Sequence, residues 1–194
     1  MSRSIAAIRS LAQAAMAVSA ALFLAISSPA AAQTSDNSDG ASPAIVELKA
    51  RPTVALGGSA DWDDGMTTLA GSIAKLRTQM GEAGLEAAGR PLAVFVDTDD
   101  KGFRYEAMIP LAAKPETEPK LPEGTRIASS PAGRTMKFEH RGSYDEIDST
   151  YEAITAYLDE KGLEAQNLFV EEYLNLPKAP DEDGAQVDIY VFLK

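Results

Sequence analysis

Glu171 stands between Phe169 and Tyr173 at alternate positions of the run Leu168-Phe169-Val170-Glu171-Glu172-Tyr173-Leu174-Asn175. In an extended strand, alternate residues project to one face. One face would therefore carry a carboxylate between two aromatic rings, with Asn175 beyond. That combination suits a flat, polarisable or cationic organic ligand, held by charge and by ring faces. The competing reading is a solvated sheet residue. The other face would carry Leu168, Val170, Glu172 and Leu174, which is mostly apolar and should pack under helices. A carboxylate at Glu172 then needs a partner or a local bulge, because an uncompensated buried charge is costly.

Other chemistries find less support. The chain has no cysteine and one histidine, His140, which excludes disulfides, thiolate sites and two-imidazole metal centres. His140 shares a strand side with Met136 and Phe138, so a hydrogen-bonded structural histidine is expected rather than a haem ligand, and no metal or cofactor is expected. Asp97-Thr98-Asp99-Asp100-Lys101-Gly102 resembles a calcium loop only superficially. It has lysine at the fifth position and Met108 at the twelfth, where a bidentate glutamate is needed, and reads as a hairpin turn. Phosphate-binding glycine loops and nucleophile elbows are absent from the sequence. The 194 residues carry a net charge of −11, which disfavours nucleic acid and anionic membranes and favours cations.

The elements that must position these residues follow a repeating plan. At an offset of 82, Val54, Leu56, Asp61, Trp62, Asp63 and Asp64 overlie Met136, Phe138, Ser143, Tyr144, Asp145 and Glu146. Gly84-Leu85-Glu86 overlies Gly162-Leu163-Glu164 at an offset of 78, and Glu106–Leu111 overlies Asp188–Leu193 at 82 again. The missing four residues fall within a helix, so the first helix should be about one turn longer. Each copy reads strand, helix, strand, strand. Met66, Leu69, Ile73, Leu76 and Met80 form one apolar helical stripe, and Ile147, Tyr151, Ile154 and Leu158 form the other. Gly84 and Gly162 supply left-handed stops. Strands are expected at 91–97, 103–111, 167–175 and 186–193. The offset places Ala93, Phe95 and Asp97 at the positions of Glu171, Tyr173 and Asn175. Phe95 would add an aromatic from the first half, Trp62 and Tyr144 at the helix entrances would close the ends, and parity adds Tyr190.

Gly133–Tyr144, with Val170-Glu171-Glu172-Tyr173-Leu174-Asn175-Leu176-Pro177, resembles the strand-to-helix entry and the E-x-Y-L-x-x-P strand of GyrI-like, or bacterial effector-binding, domains. Val46-Glu47-Leu48-Lys49 and Gly89–Phe95 resemble the matching landmarks of the first half, so the likeness runs from about Ala44 to Lys194. It implies an α+β fold in which two strand-helix-strand-strand repeats, 44–113 and 125–194, form one antiparallel sheet with two helices on one face and a ligand cleft on the other. It also implies a ligand-facing glutamate at Glu171, which turns the balance toward a pocket. Glu172 and Leu176 depart from the family pattern.

Residues 1–32 read as a signal peptide, with Arg3 and Arg9, an apolar run through Leu22-Phe23-Leu24-Ala25-Ile26, and Ala30-Ala31-Ala32 as the cleavage site. The alternative is a retained anchor. Residues 33–43 are polar and turn-forming, a tether. The expected protein is thus an exported, periplasmic or secreted domain with no stable membrane insertion; the sequence leaves its oligomeric state open, with a monomer favoured. It would bind a small organic cation or aromatic through Glu171, Tyr173, Phe169, Phe95, Tyr144, Trp62 and Tyr190. One alternative is a hydrolase of strained electrophiles, with Glu171 activating water and Tyr173 donating a proton. Another is a protein-interaction module whose pocket has been lost.

Overall fold

The computed structural model describes residues 43–176, 179 and 181–194. The expected signal peptide and all of the tether except Pro43 lie outside them. In chain order the elements are β1 (Ala44–Leu48), β2 (Pro52–Asp61), a 3-10 turn (Trp62–Asp64), α1 (Gly65–Glu82), β3 (Leu92–Thr98), β4 (Gly102–Pro110) and β5 (Thr125–Ser129). The second half continues with β6 (Gly133–Gly142), a 3-10 turn (Tyr144–Glu146), α2 (Ile147–Lys161), β7 (Ala165–Asn175) and β8 (Ala185–Leu193). The strands form one open sheet in the order β1-β6-β8-β7-β3-β4-β2-β5. Every neighbouring pair is antiparallel. The fold is α+β, as the sequence implied.

The helices stop where glycines allow, and no side chain caps the start of either. Their apolar stripes are buried, and α1 has 18 residues against 15 in α2, close to the one-turn difference that the offsets require. Gly84 and Gly162 take φ of +66° and +61°. The next N–H then folds back onto the helix: Leu85 donates to the Met80 carbonyl at 2.8 Å and Leu163 to Leu158 at 2.9 Å. This six-residue closure satisfies carbonyls that the helix end would orphan.

Both helices lie on one side of the sheet. Their stripes join Val54, Phe95, Tyr105, Ile109, Phe138, Phe169, Tyr173, Ile189 and Val191 in a single buried cluster. Each such aliphatic or aromatic side chain contributes on the order of 1.5–3 kcal/mol through removal from water. Strand parity grouped the β7 residues correctly but assigned them to the wrong sides. Phe169, Glu171 and Tyr173 face the helices. Val170 instead joins Ala55, Leu92, Val94, Met108, Tyr190 and Phe192 in a second cluster, which contains no helical residue among the described ones. The ligand cleft expected on the face opposite the helices must therefore be sought beneath them. Parity within one strand cannot distinguish two apolar faces, and here both are buried.

Two short strands lie beyond the expected elements. β1 opens the first half yet pairs with β6 of the second, from Ala44 opposite Lys137 to Leu48 opposite Gly133. β5 opens the second half yet pairs with β2 of the first. The first half and the second each give their leading strand to the other.

Candidate functional site

Glu171 lies on the inner pair of strands, directly opposite Ala93 of β3 on one side and Ile189 of β8 on the other. It is 1% exposed, deep beneath α2. Three tyrosine hydroxyls donate to it. Tyr144 reaches Oε2 at 2.8 Å, Tyr173 reaches the same oxygen at 2.6 Å, and Tyr151 reaches Oε1 at 2.8 Å. They come from three different elements: the 3-10 turn, β7 and α2. Burial raises the carboxyl's pKa above the usual carboxylate range, while the three hydroxyl bonds pull it back down. Burial and then the Glu171 charge push all three phenols well above their ordinary value. The arrangement is a desolvated carboxylate held by neutral donors, with no positive side chain among the hydrogen-bond partners.

Above it opens a cleft of about 340 Å³ between the N-terminal ends of the two helices. Glu171 and Tyr151 form part of its lining, together with Trp62, Phe95, Phe103, Tyr144, Met66 and Ile147. The rings contact one another: Trp62 and Phe95 each lie tilted against Phe103, at centroid distances of 5.1 and 5.2 Å. Asp63, Asp145 and Asp148 also line the cleft, and no lysine, arginine or histidine does among the described residues. Such a cavity offers aromatic surface and negative charge together, in a medium where water screens poorly.

Of the residues singled out in the sequence, Glu171, Phe95, Tyr144 and Trp62 line this cleft. Phe169 and Tyr173 lie just beneath it, Phe169 edge-on to Tyr151 with centroids 6.3 Å apart, and Tyr173 through its bond to Glu171. Tyr190 does not belong there. It projects from the opposite face of the sheet, where its hydroxyl donates to Glu172 at 3.2 Å. The parity that paired it with the site rested on the inverted face assignment. Tyr151, by contrast, reads in the sequence as an ordinary member of the α2 stripe. One signal marks it out: a buried phenol in an aliphatic stripe requires a hydrogen-bond partner. Phe103, Met66 and the three aspartates had no comparable sequence signal as cleft residues.

Glu172 also finds its partners on the far face. Arg51 donates to its Oε1 at 3.1 Å, so the adjacent glutamates differ completely in environment. Nearby, Asp188, 4% exposed, is held by Lys137 at 2.7 Å and Arg141 at 3.3 Å, and both cations also bridge Glu139. Every buried charge on this side is paired, as burial demands.

His140 is fully engaged within the fold. Its Nε2 contacts the Ser143 carbonyl at 2.9 Å and its Nδ1 the Thr150 hydroxyl at 2.8 Å.

A carboxylate-centred aromatic cleft under the helices of an eight-stranded antiparallel sheet is the architecture of a small-molecule-binding domain. The chain belongs to the GyrI-like family, whose description is GyrI-like small molecule binding domain and whose model matches residues 41–194. Among solved structures, the EcmrR C-terminal domain superposes with a TM-score of 0.63 at 16% identity, covering 78% of this chain and 96% of that one. EcmrR in a complex with DNA gives 0.65 at 14% identity, with 78% of this chain and 57% of that one covered, so this chain spans a little over half of it. A hydrolase from Listeria innocua gives 0.52 at 13% identity, covering 78% and 91%. At these identities the likeness is one of fold. No curated protein matches the sequence.

Proposed function

We propose that this protein is an exported binder of an organic cation with an aromatic body, anchored by Glu171. The observation that carries this reading is the buried carboxylate beneath an aromatic cleft whose lining includes three further acids and no base among the described residues. A cation entering the cleft gains an unscreened charge interaction and ring-face contacts. The geometry favours binding over hydrolysis. Both oxygens of Glu171 already accept hydroxyl bonds, which leaves neither turned toward an attacking water, and phenols pushed well above their ordinary pKa are poor proton donors. An open cleft of this size also speaks against a module that has lost its pocket.

Thermal unfolding of the mature protein with ethidium, against the uncharged parent heterocycle phenanthridine, tests the reading. A ligand selective for the folded state raises the melting temperature. Ethidium is expected to raise it in a saturable way and phenanthridine to have little effect. Equal shifts from both would remove the charge from the argument, and no shift from either would remove the aromatic cation.

Export rests on the positive start, the apolar run and Ala30-Ala31-Ala32. Mass spectrometry of the protein from the extracytoplasmic fraction is expected to find Gln33 or a near neighbour at the N-terminus. An intact leader on membrane-bound protein would mean that it is an anchor.

A further inference from the structure

We propose that His140 is a positioning residue for the cleft, latching the turn that holds Tyr144 over Glu171; this rests on the binding reading above. Two of the three donors to Glu171 are placed by regular structure, Tyr151 on α2 and Tyr173 on β7. Tyr144 alone stands on a 3-10 turn, half-buried at the cleft wall. One turn of 3-10 helix fixes little by itself, so something must hold it for its phenol to stay 2.8 Å from Oε2.

The imidazole does so from three sides. It projects from β6, its Nε2 meets the carbonyl of Ser143 at 2.9 Å immediately before the turn, and its Nδ1 meets the Thr150 hydroxyl on α2 at 2.8 Å. A carbonyl can only accept, so Nε2 carries the proton and Nδ1 accepts from threonine. This is the neutral ring. Burial favours it by lowering the pKa, with Arg141 acting in the same direction and the Ser143 carbonyl and Glu146 opposing. The ring also stands edge-on to Tyr144, with centroids 6.5 Å apart at 80°. Strand, turn, helix and phenol are thus tied through one side chain.

The other half lacks this device. Eighty-two residues earlier the equivalent position is Gly58, and the turn beginning at Trp62 is held by other bonds, from its Nε1 to the Asp99 carbonyl and from its backbone N–H to Lys101. That half has Ala93 where the second has Glu171. Both halves set a polar ring against a helix hydroxyl, Tyr105 on Ser72 and His140 on Thr150. Of the two, only His140 also binds the turn, in the half that bears the carboxylate, which ties that bond to the site.

A double-mutant cycle with ethidium, combined with alkaline titration of the ligand-free protein at the phenolate absorbance, tests the assignment. His140→Leu is expected to weaken ethidium binding about tenfold and to free one tyrosine to ionise closer to the ordinary phenol range. His140→Gln, whose amide can still donate to the Ser143 carbonyl, should restore most of both. In a Tyr144→Phe background His140→Leu should change neither affinity nor the number of early-titrating tyrosines. Unchanged affinity and titration in His140→Leu, additive losses in the Tyr144→Phe background, or no rescue by glutamine would each overturn it. If ethidium fails to bind the wild type while His140→Leu still frees one tyrosine, the latch stands and the cation reading falls. Thr150→Val, which removes only the Nδ1 partner, should give a smaller effect in the same direction if His140→Leu does not fold.

Discussion

Glu171→Gln is expected to weaken ethidium binding by about 1–3 kcal/mol, the scale of losing a charge-assisted contact, and to leave the melting temperature unchanged or higher. The amide can reuse the existing geometry. Its oxygen in the place of Oε2 accepts from Tyr144 and Tyr173, and its nitrogen in the place of Oε1 faces the Tyr151 hydroxyl. Meanwhile the desolvation cost of a buried charge disappears. The pH dependence follows from burial, which sets this carboxyl's pKa above its value in the unfolded chain despite the three donors. The folded state therefore holds the proton more tightly. The stability this contributes is fully present below the unfolded value and is lost as pH rises through the folded one. Ethidium affinity should run the other way, rising as the proton leaves. Both trends should vanish in Glu171→Gln. Glu172→Gln, on the far face between Arg51 and Tyr190, should leave affinity alone. Calorimetric titrations and melting curves across acid to neutral pH check all of this. Loss of binding in Glu172→Gln with retention in Glu171→Gln would place the ligand on the other side of the sheet.

Gly58→Ala should destabilise the fold, a loss of about 1–3 kcal/mol of the kind caused by overpacking. A methyl group at Gly58 would meet Cζ and the hydroxyl oxygen of Tyr105 at 2.6 Å. Tyr105 lies directly opposite Gly58 in the β2–β4 ladder and cannot easily retreat. It is buried, its ring leans on Phe103, and its hydroxyl is 2.8 Å from that of Ser72 on α1. In the other half the same ladder position pairs His140 with Val187, and the histidine reaches Thr150, 78 residues after Ser72. Each half places one large polar ring under its helix hydroxyl, from β4 in the first and from β6 in the second. Gly58→Ala with Tyr105→Val should therefore be much less destabilised than the sum of the two single variants. Additive losses in denaturant melts would show that the ring is not what the methyl group meets.

Much of the architecture was legible because it depends on short-range patterns. The helical stripes, the stops at Gly84 and Gly162 and the four long strands after the helices follow from period and turn chemistry. Glu171 stood out as a carboxylate between Phe169 and Tyr173, but it was the resemblance to GyrI-like domains, not the strand pattern, that turned it from a solvated residue into a pocket residue. Which face the helices cover was not legible, since Val170 and Phe169 are equally apolar and only tertiary packing separates them. The same ambiguity misplaced Tyr190. Tyr151 was hidden by its role in the stripe, and the pairing of β1 with β6 involves contacts that no local pattern encodes.

That exchange of leading strands sets the order in which the molecule can be assembled. β1 is made first, but its docking partner, Gly133–Lys137, emerges about ninety residues later. β5 in turn must reach back past α1 and two strands to lie along β2. Long-range closures of this kind raise contact order and slow folding. Neither half can complete its own sheet edge, so the two should melt as one cooperative unit. Cleavage of the connection between Leu111 and Gly124 should give fragments that regain structure only when mixed.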